Sequence, residues 1–282
     1  VSRRELLSQA FAIVRRSPAL WSIALLGLAI NTISSLLSVD VAVAITGTIT
    51  AFLIVAVMDG ALIGMVNSLA EGETVSLLDG LRAGLARWMP MLLTNLALII
   101  PVWIVLVVLS GSIAAIFASG YGRPDTFQPM NTINVMGSVF SLAGVVIAIN
   151  ALTAGVGVGA ERAIVLEDMP VSAALRRGLT LLRANVSDFL SIALILFGVG
   201  LAASLIFGLL IEQMVITFIS PQVIKTAADG SSTLDPVAFS TSPAYIILVV
   251  ISLLLGSLLT AFASSVWTLA FRNWKRIEEE ST

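Results

Sequence analysis

The stretch IVAVMDGALIG holds the residue in this sequence best placed to do chemistry. Asp59 lies inside an apolar run where an ionised carboxylate is expensive, so it is a candidate for binding a cation, carrying a proton or pairing with a partner's arginine. The competing reading is a carboxylate near a helix end, solvated or paired with Arg82, Arg87 or Arg162. Asn95 and Asn150 stand in other apolar runs and complete, with Asp59, a candidate intramembrane polar site. Asparagines such as these and Asn31 also hydrogen-bond between packed helices without any ligand, contributing roughly 0.6 to 2 kcal/mol. Glu161 and Arg162 adjoin the run AGVGVGAER and mark the end of an apolar stretch, as Glu212 does on the opposite side.

The chain has neither cysteine nor histidine. That removes disulfides, zinc sites built on thiolate or imidazole, His-ligated haem and Cys-His or Ser-His nucleophilic pairs. No cofactor, metal site or catalytic constellation is expected, and the chain is not read as an enzyme; a membrane-embedded enzyme is kept as a third and minor alternative, for want of a paired base and nucleophile. AGVGVGA does not open a dinucleotide loop, because no strand precedes it. The arginines are explained by topology and give no support to nucleic-acid binding.

The elements that must position these residues are membrane helices. Of 282 residues only 11% are charged and 58% are hydrophobic. Several runs exceed the length that crosses about 30 Å of hydrocarbon at about 1.5 Å per residue. The expected spans are Ala19 to Leu37, Val43 to Val66, Met91 to Phe117, Met136 to Ala160, Phe189 to Leu210 and Ala244 to Trp267. Pro101 is the expected kink of the third. Of the 15 lysines and arginines, all but Arg123 and Lys225 then fall on one side. Basic loops are retained in the cytoplasm, so both termini are expected there. The outer connections are a turn around Ser38 to Asp40 and loops from Ser119 to Thr132 and Ser220 to Ser242, rich in turn residues and expected to lack a core. SRREL superficially suggests an export signal, but the second basic pair, Arg15 and Arg16, precedes the apolar run, so the first span is read as retained.

VSAALRRGLTLLR, 171 to 183, looks different from its surroundings. Val171, Ala174, Leu175, Leu179 and Leu182 share a stripe, with Arg176, Arg177, Thr180 and Arg183 opposite. Asp168 is expected to cap the helix and Pro170 to suit its first turn. TVSLLDGLRAGLARW, 74 to 88, is a second copy, aligned by Val75-Ser76 with Val171-Ser172 and by Arg87 with Arg183; LLSQAFAIVRR is a looser third. Each copy precedes two apolar spans. The chain therefore reads as one all-α polytopic domain, 1-282, in three repeats of a cytoplasmic amphipathic helix plus a transmembrane hairpin, at about 1-70, 71-165 and 166-282. Gly60 with Gly64 and Gly155 with Gly159 are expected to permit close helix packing. Arg15, Arg16, Arg82, Arg87, Arg176, Arg177 and Arg183 are expected to meet anionic lipid headgroups while the leucines enter the acyl boundary. The bland alternative is an elbow that orients each hairpin. Trp21, Trp88, Trp103, Trp267 and Trp274 suit interfacial belts.

AERAIVLEDMPVSAALRRGLTLLRANVSDFL, its echo LAEGETVSLLDGLRAGLARWMPML, and the ending SSVWTLAFRNWKR together resemble a group of bacterial six-span proteins. The group includes the membrane domain attached to some glycerophosphodiester phosphodiesterases and stand-alone relatives of unassigned function. The resemblance implies six spans with cytoplasmic elbows in a bacterial inner membrane. It implies little chemistry, since this sequence has no soluble barrel domain and lacks the histidines that such a hydrolase uses. The expected function is a non-enzymatic membrane scaffold or accessory subunit that packs against a membrane protein partner or itself. The alternative is a transporter or lipid-handling protein with a polar path near Asp59, Asn95 and Asn150. Parallel repeats do not create a two-sided alternating-access device, which weighs against transport.

Overall fold

The structure, a computed structural model, describes residues 2–36, 41–121, 129–214, 224–226, 232–234 and 242–281. The helices are α1 (Arg3–Arg16), α2 (Pro18–Leu36), α3 (Val41–Ala70), α4 (Leu77–Tyr121), α5 (Pro129–Glu167), α6 (Val171–Ala184), α7 (Val186–Met214) and α8 (Pro243–Ser281). Five are long and apolar enough to cross a membrane, and a sixth span results if α1 and α2, bent by 84° at Ser17, count together. The protein is thus a multi-pass helical membrane protein.

Every expected span falls within one of these helices or overlaps it closely, and several helices run on beyond the expected ends. α5 continues to Glu167 and α8 to Ser281, carrying polar turns past the apolar stretch. The second amphipathic segment is not a separate helix. It is the opening of the 45-residue α4, which takes in Pro90 and Pro101. A proline removes only one intrahelical donor, and adjacent packing can accommodate the break in the ladder. The Ser119 and Thr132 ends of the first outer loop are helical, and the second contains a short antiparallel pair, β1 (Ile224–Thr226) with β2 (Ser232–Leu234), in the register Ile224 with Leu234. The turn at 38–40, the segment 122–128 with Arg123 and residues 220–223, 227–231 and 235–241 of the second outer loop lie outside the described residues.

Contacts divide the chain into two compact units, residues 1–86 with 186–282, and residues 87–185. In the first, α1, α2, α3 and α8 pack on one another. Its core joins Val14, Leu20, Ile23, Met58, Leu62, Met65, Val66 and Ala261, with Leu81 from the opening of α4 against it. In the second unit, α6 packs along α5.

Local sequence sets the helix ends. α1 begins with a capping box, in which the Ser2 hydroxyl accepts from the Glu5 amide and the Glu5 carboxylate accepts from the Ser2 amide. The same device recurs at Ser76 and Asp79. α3 ends in a Schellman turn: Gly72 takes φ +85°, Gly72 N–H reaches the Leu69 carbonyl and Glu73 N–H reaches that of Ser68. α5 is followed by Asp168 at φ +55°. Asp168 therefore terminates α5 and does not cap α6, whose N-cap is Pro170 with no side-chain bond.

Candidate functional site

The three amphipathic segments present a common arrangement. Counted from the first helical residue, the fourth and eighth positions are buried in each: Leu6 and Ala10 in α1, Gly80 and Gly84 in α4, Ala174 and Gly178 in α6. These face other helices. A Cβ on Gly84 would overlap the Val57 carbonyl oxygen and lie 3.0 Å from the Ala61 nitrogen of α3. One on Gly178 would overlap the Val156 carbonyl oxygen and lie 2.9 Å from the Ala160 nitrogen of α5. Backbone touches backbone at both crossings, which only a residue without Cβ permits. The segments LRAGL, 81 to 85, and LRRGL, 175 to 179, correspond in the fold. The alignment through Val75-Ser76 and Arg87 is displaced from this register because the connection 71–76 is longer than the connection 168–170.

The opening of α4 packs on α3, α6 packs on α5, and α1 packs on α8. Bulky apolar side chains take another face. Phe11 is 61% exposed, Leu78 62% and Leu85 57%.

The arginines divide into two sets. Arg15, Arg16, Arg82, Arg176 and Arg183 are exposed. Arg87 and Arg177, expected at lipid headgroups, are half-buried and each faces a carboxylate of the chain, Arg177 a covered one and Arg87 the exposed Asp168. Arg87 Nη2 lies 3.2 Å from Asp168 Oδ1, and Arg177 Nε lies 3.5 Å from Glu167 Oε2 with both side chains largely covered. The buried apolar stripe of α6 is correspondingly Ala174, Gly178 and Leu181, which turns Arg177 toward α5. Arg162 is 3% exposed, with Nη1 donating to the Val158 carbonyl at 3.0 Å and lying 3.7 Å from Glu161.

The intramembrane candidates are placed as follows. Asp59 is half-buried in α3 and has an interaction partner. Asn95 is half-buried in α4. Asn150 is exposed, and its amide donates to the Val146 carbonyl one turn back in α5. Gly60 and Gly155 are buried, Gly64 is half-buried, and Gly159 meets Gly178, with a Cβ there 2.7 Å from Gly178 Cα. Of the tryptophans, Trp103 is exposed at mid-span, Trp274 is buried and Trp267 stacks on Phe189 with ring centroids 4.8 Å apart. Among the described residues no group of three or more carboxylates is placed to hold a metal ion.

One cluster escaped sequence reading. Arg272 Nη1 in α8 donates to the Asn67 carbonyl at 3.1 Å, to Asn67 Oδ1 at 2.8 Å and to Glu71 Oε1 at 3.1 Å. It clamps the end of α3 to α8 and offsets the carbonyl end of that helix. The signal was the i,i+4 pair Asn67 and Glu71 at a span end, facing a basic ending distant in sequence. Arg3 and Asp188 make a comparable link between the starts of α1 and α7, at 2.9 Å. Glu5 titrates below the usual carboxylate range because the Ser2 amide, and then its hydroxyl, hydrogen-bond the ionised form.

These features define a multi-pass helical membrane protein. The chain belongs to the DUF7847 family, a domain of unknown function, which matches residues 4–274. No curated protein and no solved structure matches it.

Proposed function

We propose that this protein is a non-enzymatic scaffold or accessory subunit of a bacterial inner membrane, with both termini in the cytoplasm, that packs through its spans against another membrane protein or a second copy. The observation that carries this reading is uneven burial. The most apolar windows of α4 and α7 bury 6% of their residues, against 50% for that of α3. The apolar window of α3 is half covered, whereas those of α4 and α7 are left almost bare. The three amphipathic helices act as braces on the cytoplasmic surface, each fixing the span it crosses, in a three-repeat plan. Their exposed arginines meet anionic headgroups. The resemblance to membrane domains that accompany a phosphodiesterase fits this role, since such a domain accompanies a catalyst without supplying the catalytic groups.

Photo-crosslinking in native membranes tests it. The chain has no cysteine, so single thiols at Trp103→Cys and Leu205→Cys, both on exposed faces, carry a benzophenone without background labelling. A discrete protein adduct from either position is the expected result. Lipid adducts alone from both would overturn the reading.

A further inference from the structure

A half-open cleft of about 360 Å³ lies beside α1 in the first unit, lined by Gln9, Ala12, Ile13 and Arg16, with Leu69 at the end of α3 and Leu269 of α8. The α1 residues are spaced i, i+3, i+4 and i+7, so they form one continuous face, distinct from the buried face of Leu6, Ala10 and Val14. The volume is at the small end of the range for small-ligand sites, enough for a headgroup and its first carbons but not a whole lipid. Its wall is apolar on the side of Ile13, Leu69 and Leu269 and polar on the side of Gln9 and Arg16. Its single cation is Arg16, which is exposed and forms no ion pair among the described residues. The nearby Glu71 carboxylate, which would repel an anion, is already held by Arg272 at 3.1 Å and by the Asn67 amide at 3.1 Å. The 84° bend between α1 and α2 sets Arg16 beside the elbow, at headgroup depth when α2 crosses the bilayer.

We infer that this cleft binds one phosphate-bearing amphiphile, its phosphate on Arg16 and Gln9 and its apolar stem against Ile13, Leu69 and Leu269. A cation with no internal carboxylate on one side of the cleft and an apolar side opposite it, at interface depth, match that chemistry better than a purely polar solute. The inference rests on α1 lying at the membrane surface, as in the proposed function, but not on a protein partner.

The full chain in zwitterionic detergent is titrated with a short-chain phosphatidylglycerol, with the matching phosphatidylcholine and with inorganic phosphate, and occupancy is read by native mass spectrometry. Saturable one-to-one binding of phosphatidylglycerol is expected. Arg16→Gln should weaken it roughly tenfold, the loss of one charge-assisted bond. Arg15→Gln, in the same last turn but outside the cleft lining, should change it less than about twofold. Ala12→Phe should block binding by filling the cleft while leaving Arg16 in place. Equal weakening by the two arginine changes, or full binding to Ala12→Phe, would overturn the site and leave only diffuse surface attraction. Equal displacement by inorganic phosphate would overturn the amphiphile and make the occupant a free anion. Retained protein crosslinks in an Arg16→Gln chain separate failure here from failure of the scaffold reading.

Discussion

The crossing of α5 and α6 at Gly178 gives the sharpest structural prediction. Replacing Gly178 by alanine gains about 1 kcal/mol of helix propensity. Against this, the new Cβ overlaps the Val156 carbonyl oxygen and lies 2.9 Å from the Ala160 nitrogen, where about 3.5 Å is comfortable. Both obstacles are backbone atoms of one rigid helix, so no rotamer change relieves them. The helices must part by roughly 0.6 Å or more across the crossing, which places the cost near the upper end of overpacking, about 3 kcal/mol. The net loss is about 2 kcal/mol, some thirtyfold in the unfolding equilibrium. Gly208→Ala is the control, because a Cβ there meets nothing within 4 Å. Thermal unfolding in detergent, with proteolysis at the α5–α6 connection as a local readout, compares the two. Equal stability of Gly178→Ala and Gly208→Ala would refute the close crossing.

Four further outcomes follow from the same geometry. Arg272→Ala should lower stability by about 1 to 2 kcal/mol, less than a buried clamp would give because the pair is partly exposed, and limited proteolysis should show α3 and α8 opening at that end. Arg176→Gln with Arg183→Gln should weaken binding to anionic vesicles by about 1 kcal/mol per charge, whereas Arg177→Gln should chiefly destabilise the α5–α6 pair; the reverse pattern in a flotation assay would contradict the division. Because hydrogen bonds depress the Glu5 pKa below its ordinary 4.5, its share of stability is whole above that value and fades as pH falls through the lower folded value. Proton-titrated NMR of the first turn of α1 should show no loss between pH 7 and 5, and Glu5→Gln should abolish the acid transition. Asp59→Asn should leave assembly with the partner intact; loss of an ion-coupled uptake in liposomes would instead establish the transport alternative.

The spans were legible because apolar length is a one-dimensional signal. The separation of α1 from α2 was legible too, in Arg15 and Arg16 preceding the apolar run; the 84° bend between them was not. The register between the amphipathic segments was not. Sequence matching favoured the conspicuous Val-Ser pairs and arginines, while the fold aligns Gly84 with Gly178, whose importance is a missing side chain and so leaves no hydrophobic or charged signature. Arg87 and Arg177 read as surface charges because their partners, Asp168 and Glu167, belong to a helix end whose trajectory only the left-handed Asp168 defines. Asn150 looked like part of a polar path, yet its amide is satisfied by its own helix, an option that sequence position alone does not distinguish from a bond between helices.

The most direct test of the scaffold reading is gentle extraction of the untagged chain from native membranes followed by native mass spectrometry. The account predicts a stoichiometric second chain, a different membrane protein or another copy, lost when bulky residues on the exposed faces of α4 and α7 are made polar. A lone chain carrying a tightly held solute, unaffected by those changes, would contradict it.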